Sequence, residues 1–161
     1  MSQHGEISEQ VFETHNELLS ICHKRMAIMD SHEKCALKLL KLLAELQNKY
    51  AEIDEISRPL TQLNMIHANL VLTSEGYITD AKMRTPQNRL KFRKEFARHG
   101  GDFFAVLRTL KQAPFNQNDM QALEIISQTH NNFVNSTVGQ QQLIDLYEME
   151  FALFEIGRAH V

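Results

Sequence analysis

The sequence predicts an all-α fold, an antiparallel (up-down) helical bundle with coiled-coil-like packing and a long N-terminal helix. Three observations predict it. Helix breakers are scarce, with Gly 6 and Pro 3 in 161 residues, so long uninterrupted helices are favoured. Apolar residues recur at steps of three, four and seven over long stretches. The breakers fall between those stretches, and the short connections they leave suit antiparallel neighbours. Hydrophobic residues make up 43% and charged residues 23%, ordinary for a globular chain. The length suits one domain with a real core. The expectation is a single bundle over residues 1–155, with helices at about 7–56, 59–83, 86–111 and 117–155.

The first segment carries the stripe Ile7, Val11, Leu18, Cys22, Met29, Ala36, Leu40, Leu43, Tyr50 and Ile53. One helix of this length reaches roughly 75 Å. Asp30 to Glu33 reads as a helix start, with Asp as N-cap and Glu at N3, so the sequence allows either a kink or break near Asp30 or a continuous helix through it. Ser57-Arg58-Pro59 is a boundary signal, because proline is tolerated only in the first turn of a helix. The second segment then runs Leu60, Leu63, His67, Leu70, Ser74, Tyr77 and Ala81, a heptad seam with polar or small intrusions.

Thr85-Pro86 opens the third segment, with Thr85 as N-cap and Pro86 at N1. Its seam is Phe92, Phe96, His99, Phe103, Val106 and Leu110. Gly100-Gly101 weakens it midway and marks either a close approach or a local break. Pro114 ends that helix, and Asn116 to Asp119 can cap the fourth. The fourth seam is the cleanest: Leu123, Ile126, His130, Phe133, Thr137, Gln140, Ile144, Tyr147, Phe151 and Phe154.

Ile156 to Val161 (IGRAHV) ends the chain inside that seam. ATC GGA AGA GCA CAC GTC TGA translates to these residues and a stop. It resembles the reading frame through a common short-read sequencing adapter. The expectation is that 156–161 are not native and that the chain is the N-terminal fragment of a longer protein.

Charge and motifs exclude several function classes. The formal net charge is -3, which argues against nucleic acid, since phosphate binding needs a basic stripe. Arg89, Lys91, Arg93, Lys94 and Arg98 are interrupted by Leu90, Phe92 and Phe96, and read as a solvated face with its apolar side inward. Cys22 and Cys35 point to nearly opposite faces of one helix and cannot pair there; free thiols suit a reducing compartment. The longest uncharged run, from Pro59 to Ser74, is polar and too short for a membrane span. The N-terminus is polar and acidic, unlike a signal peptide. No G-x-S-x-G, P-loop, G-x-G-x-x-G, C-x-x-C or H-E-x-x-H pattern occurs, so no enzyme is expected. Asp54-Glu55 and Glu148-Glu150 read as solvent-facing carboxylates.

Two constellations remain. Counted from the turns, His67, His99 and His130 fall within roughly one helical turn of each other. They form a candidate histidine layer for a metal, a haem or an anion, to be weighed against seam histidines with ordinary hydrogen bonds. Glu-x-x-His and His-x-x-x-Glu patterns are missing, which disfavours a diiron site. The second constellation is His15, Cys22, Met26 and Met29 on one face of the first helix. Soft ligands of this kind suit Cu(I), but Met and Cys at helical spacing read first as core filler. No cofactor is expected.

A family resemblance lies in the texture of residues 60–147. One helix ends in ANLVLTSEGYITDA and the next is patterned FRKEFARHGGDFFAVLRTL. The loop NQND then precedes LEIISQTHNNFVNSTVGQQQLI. This stretch, just over half of the chain, resembles the helical-bundle sensory domains of bacterial chemoreceptors and related histidine kinases. The resemblance implies a non-enzymatic module that binds a small-molecule ligand and precedes a membrane helix and a signalling coiled coil. It names no ligand residue, because that family has no fixed motif. Such receptors begin with a membrane anchor, and here a helical segment of ~50 residues stands instead. The chain as read is therefore cytoplasmic, and periplasmic if an anchor precedes it. The leading expectation is a sensory or signal-transduction module. The alternative is a soluble coiled-coil adaptor, structural or chaperone-like protein that associates with itself or with partner helices, with an exposed apolar stripe on the first segment. A haem or metal bundle is the third.

Overall fold

The structure is a computed structural model that describes the backbone of residues 3–159 and the side chains of residues 9–158. It is all-α. Among the described residues four α-helices follow one another: α1 (Gln3–Lys49), α2 (Asp54–Thr79), α3 (Pro86–Leu110) and α4 (Gln117–Ala159), with a single 3-10 turn at Ala81–Met83. No helix is long and apolar enough to cross a membrane among the described residues. His160 and Val161 of the expected non-native tail, and the side chain of Ile7, lie outside the described residues.

α1 and α4 have 47 and 43 residues, against 26 and 25 for α2 and α3. The chain accordingly divides into two compact units where one domain is expected from the sequence. Unit 1 comprises residues 1–31 and 138–161; unit 2 comprises residues 32–137. Unit 1 is built from α1 and α4 only. Leu18, Ile21, Gln140, Gln141 and Ile144 are buried there. Gln140 donates to the Arg25 carbonyl at 2.8 Å and accepts from Arg25 Nε at 3.4 Å.

Unit 2 contains stretches of all four helices around one apolar cluster. α1 supplies Leu39, Leu43 and Leu46, and α2 supplies Ile56, Leu60 and Leu63. α3 supplies Phe103, Leu107 and Leu110, and α4 supplies Leu123 and Ile126. Towards the other end of α2 and α3, Tyr77 stacks on Phe92 at 4.3 Å and Phe92 on Phe96 at 5.4 Å.

The caps explain the helix boundaries. Thr85 Oγ1 accepts from the Asn88 N–H at 3.2 Å, with Pro86 in the first turn, as expected. Asn116 Oδ1 accepts from the Asp119 N–H at 2.8 Å and starts α4. α2 departs from expectation at both ends. It begins at Asp54, leaving Pro59 inside the helix. The carbonyl that Pro59 leaves without its intrahelical donor belongs to the exposed Glu55 and can turn to water. The added turn places Ile56 in the core at 1% exposure. At the other end α2 stops at Thr79, so Ala81 lies exposed in the 3-10 turn and is not a seam residue. α1 is shorter than expected, ending at Lys49. It passes Asp30–Glu33 without a break.

Leu18 and Leu43 are buried as the stripe implies, but between Ile21 and Leu39 the buried seam lies one residue before it. The buried and half-buried seam runs Leu18, Ile21, Arg25, Ile28, His32, Cys35, Leu39, Leu43 and Leu46. Met29, Leu40 and Ile53 are exposed by 38%, 39% and 47%. Two apolar stripes run side by side on this helix, and His32 and Arg25 disguise the inner one as polar. Leu90 is exposed as well, while Phe92 and Phe96 point inward as expected. Asp54 and Glu55 face solvent, whereas Glu148 and Glu150 are half-buried.

Gly100-Gly101 neither breaks α3 nor marks a close approach. A Cβ at either position meets no atom within 4 Å, and neither glycine has a positive φ. Gly100→Ala and Gly101→Ala should therefore each stabilise the protein by about 0.5–1 kcal/mol, through the smaller entropy of the unfolded chain. Urea denaturation of the two single variants and the double variant measures this directly.

A candidate site in a buried histidine layer

Unit 2 holds three histidines in its interior, and they are not the three expected. His67 on α2 and His130 on α4 are fully buried, as their seam positions imply. His99 on α3 is only half-buried and has no contact with them among those described. The third buried histidine is His32 on α1, 7% exposed. Among the described residues no group of three His, Cys, Asp or Glu side chains is disposed to share a metal. The layer is thus a polar stratum in the core, without the form of a ligand set.

The register of α4 explains the displacement of His99. Lys111 at the end of α3 pairs with Glu124 at 2.7 Å, about two turns into α4. The first turns of α4 run on beside the end of α1. There Lys49 reaches Asp119 at 3.0 Å, and Tyr50 donates to the same carboxylate and packs edge-on against Phe115 at 5.0 Å. This overshoot brings His130 level with Phe103, one turn beyond His99.

Each histidine has a different environment. His32 is well satisfied: Nδ1 lies 3.0 Å from Ser136 Oγ and 3.3 Å from Thr137 Oγ1, and Nε2 lies 3.2 Å from Ser74 Oγ. Both the Ser136 and Thr137 hydroxyls donate to the Phe133 carbonyl, at 2.8 and 3.0 Å. Their oxygens are left as acceptors, which assigns the proton of neutral His32 to Nδ1 and makes Nε2 the acceptor of the Ser74 hydroxyl. His32 also stacks on Phe133 at 4.7 Å. His67 donates from Nε2 to the Ala36 carbonyl at 3.0 Å, and its buried Nδ1 has no hydrogen-bond partner. Its ring meets Phe133 edge-on at 5.2 Å.

His130 is the outlier. Neither ring nitrogen has a hydrogen-bond partner. The ring lies flat on Phe103, with centroids 3.9 Å apart and planes at 3°, and meets Phe104 edge-on at 5.1 Å. A neutral imidazole carries one donor and one acceptor, and leaving such groups buried and unsatisfied costs about 1–3 kcal/mol. Burial, and then the proximity of His67, push the His130 imidazole down from 6.5 to about 4. Burial also lowers His67, opposed by its bond to Ala36 and reinforced by His32. Burial lowers His32 against the pull of Glu33 and Glu75. All three rings are therefore held neutral, and in each the charged form is disfavoured first by desolvation.

The candidate soft-metal group has a different fate. His15 and Met26 are exposed, Met29 is 38% exposed, and Cys22 is half-buried. These residues lie on the outer stripe of α1 and do not fill a core. Both cysteines are free thiols.

No family model, curated protein or solved structure matches this chain.

Proposed function

We propose that the chain is a non-enzymatic helical-bundle module of signal transduction, and that its buried histidine layer is the element that responds. The observation that supports this reading is His130, fully buried with both ring nitrogens unpartnered, beside a half-satisfied His67. A bundle selected for stability alone gains from an apolar residue at that position. A layer of neutral histidines costs stability but makes the packing of four helices depend on protonation. The charged and titratable groups acting on the layer are few. Among the described residues His32 disfavours protonation of His67 and His67 disfavours that of His130, while Glu33 and Glu75 favour that of His32. α3 presents Phe103 and Phe104 to His130 and offers it no counter-charge. A proton that enters the layer thus loosens the helices, and small helix displacements are a known output of bundle modules.

The test is a pH titration of the whole chain from 7 to 4, followed by near-ultraviolet circular dichroism of its Phe and Tyr residues and by far-ultraviolet helicity. The expected result is a reversible loss of the near-ultraviolet signal while most helicity remains. An unchanged near-ultraviolet signal down to pH 4 would falsify the reading.

A further inference from the structure

The three buried histidines differ in how each ring can hold a second proton. His67 donates from Nε2 to the Ala36 carbonyl at 3.0 Å, and its Nδ1 has no partner. Protonation there makes a buried N–H with nothing to receive it, a costly group. His130 is worse placed, because both of its N–H groups would lack an acceptor. His32 is different. Its Nδ1–H meets Ser136 Oγ at 3.0 Å and Thr137 Oγ1 at 3.3 Å, and its Nε2 takes the Ser74 hydroxyl at 3.2 Å. A hydroxyl can accept as well as donate. Ser74 Oγ also lies 3.4 Å from Thr137 Oγ1. Thr137 gives its own hydrogen to the Phe133 carbonyl at 3.0 Å, so its oxygen can receive another. His32 alone of the three reaches solvent, at 7% exposure, while His67 and His130 are fully enclosed.

We propose, resting on the reading of this layer as the responding element, that His32 is its proton port and Ser74 a hydroxyl switch: the first proton binds His32 Nε2, and the Ser74 hydroxyl turns from that nitrogen to Thr137 Oγ1. The Nε2 lone pair takes a proton from solvent. The new Nε2–H donates to Ser74 Oγ, and the Ser74 hydrogen moves by rotation about its own C–O bond, so no covalent bond breaks. Every hydrogen of the imidazolium then has an acceptor. The surrounding charges agree. Glu33 of α1 and Glu75 of α2, both exposed, draw the proton to His32 against the larger effect of desolvation. α4 presents Ser136, Thr137 and Phe133 to the ring, none of them charged. α3 meets the layer at His130 through Phe103 and Phe104, with no charged group described against His32. On α2, His67 is the remaining titratable neighbour, and a charge on His32 opposes its protonation. The proton thus enters before the helices part, and the loosening follows from the charge it leaves beside His67 and Phe133.

Long-range proton–nitrogen correlation spectra of the imidazoles in the full chain, recorded from pH 7 to 4, read both tautomer and order of titration. Neutral His32 should carry its hydrogen on Nδ1 and His67 on Nε2. His32 should titrate first, while the near-ultraviolet circular dichroism is still intact. Ser74→Ala and Thr137→Val should each lower the His32 midpoint by at least about half a pH unit, because a hydrogen bond to a charged group is stronger than one to a neutral group. Side chains that only pack would change the melting temperature and leave that midpoint in place. Glu75→Gln, at an exposed position that leaves the hydroxyls untouched, should lower it as well. His67 or His130 titrating ahead of His32 would overturn the proposal. So would a His32 that stays neutral until the near-ultraviolet signal is lost, or a His32 midpoint unmoved in both Ser74→Ala and Thr137→Val. Any of these with a near-ultraviolet signal that still falls in acid defeats the port and leaves the acid response standing. A signal unchanged down to pH 4 defeats the response, while the titration order still decides the port.

Discussion

His130→Phe should make the protein more stable at pH 7 and remove a large part of its sensitivity to acid. The phenyl ring keeps the stack on Phe103 and the edge contact with Phe104. It discards two buried nitrogens that bond to nothing. The gain at neutral pH is about 1–3 kcal/mol, the usual cost of an unsatisfied buried polar group. The acid effect follows from linkage. Above pH 6.5 neither the folded nor the unfolded chain protonates His130. Between 6.5 and about 4 the unfolded chain takes up the proton and the folded chain does not, so stability falls with pH. Below that window both states hold the proton and the loss levels off. One pKa unit is about 1.4 kcal/mol, so this residue alone accounts for about 3 kcal/mol across the window. His32 and His67 are shifted in the same direction and steepen the fall. Urea midpoints of wild type and variant at pH 7, 5.5 and 4.5 give both quantities. A variant less stable at pH 7, or one with the wild-type acid slope, would contradict the assignment.

Phe133→Ala should have the largest effect of any single truncation in unit 2. Phe133 is fully buried, stacks on His32 and meets His67 edge-on. Its removal costs the transfer free energy of the ring and leaves a cavity between His32 of α1 and His67 of α2 that rigid neighbours cannot close. The expected loss is about 3–5 kcal/mol, read from the unfolding transition by far-ultraviolet circular dichroism. A cavity beside two imidazoles also admits water, which can bond the unpartnered Nδ1 of His67. The acid slope should therefore flatten even as the total stability drops. His130→Phe flattens that slope while raising stability, so the two variants separate packing from protonation. A loss below 1 kcal/mol would mean that the ring does not hold the layer together.

The fold class, the order of the helices and most of the buried α2, α3 and α4 seams are legible in the sequence, because steps of three and four survive polar intrusions such as Ser74 and Thr137. The caps at Thr85 and Asn116 are legible too, since a side-chain acceptor before a helix has one common use. The start of α2 is not, because the gain from burying Ile56 outweighs the cost of Pro59, and that comparison needs the core. The inner seam of α1 is masked for a related reason. It carries His32 and Arg25, and an apolar stripe one residue away competes with it. His32 is nevertheless spaced four residues after Ile28 and seven before Leu39, a signal that the 3-4 rule contains once Ile21 replaces Cys22 as the reference. His99 enters the expected layer because counting from turns treats the two ends of a loop as level, whereas α4 runs on past the end of α3 to hold Lys49 and Tyr50.

The most direct measurement is a proton-detected NMR titration of the imidazole resonances in the folded wild-type protein. The account predicts that His130 stays neutral down to the pH at which unit 2 loosens, with no midpoint near its ordinary 6.5. A His130 imidazole that titrates near 6.5 while the bundle remains folded would contradict the claim that this buried layer makes the helices responsive to protons.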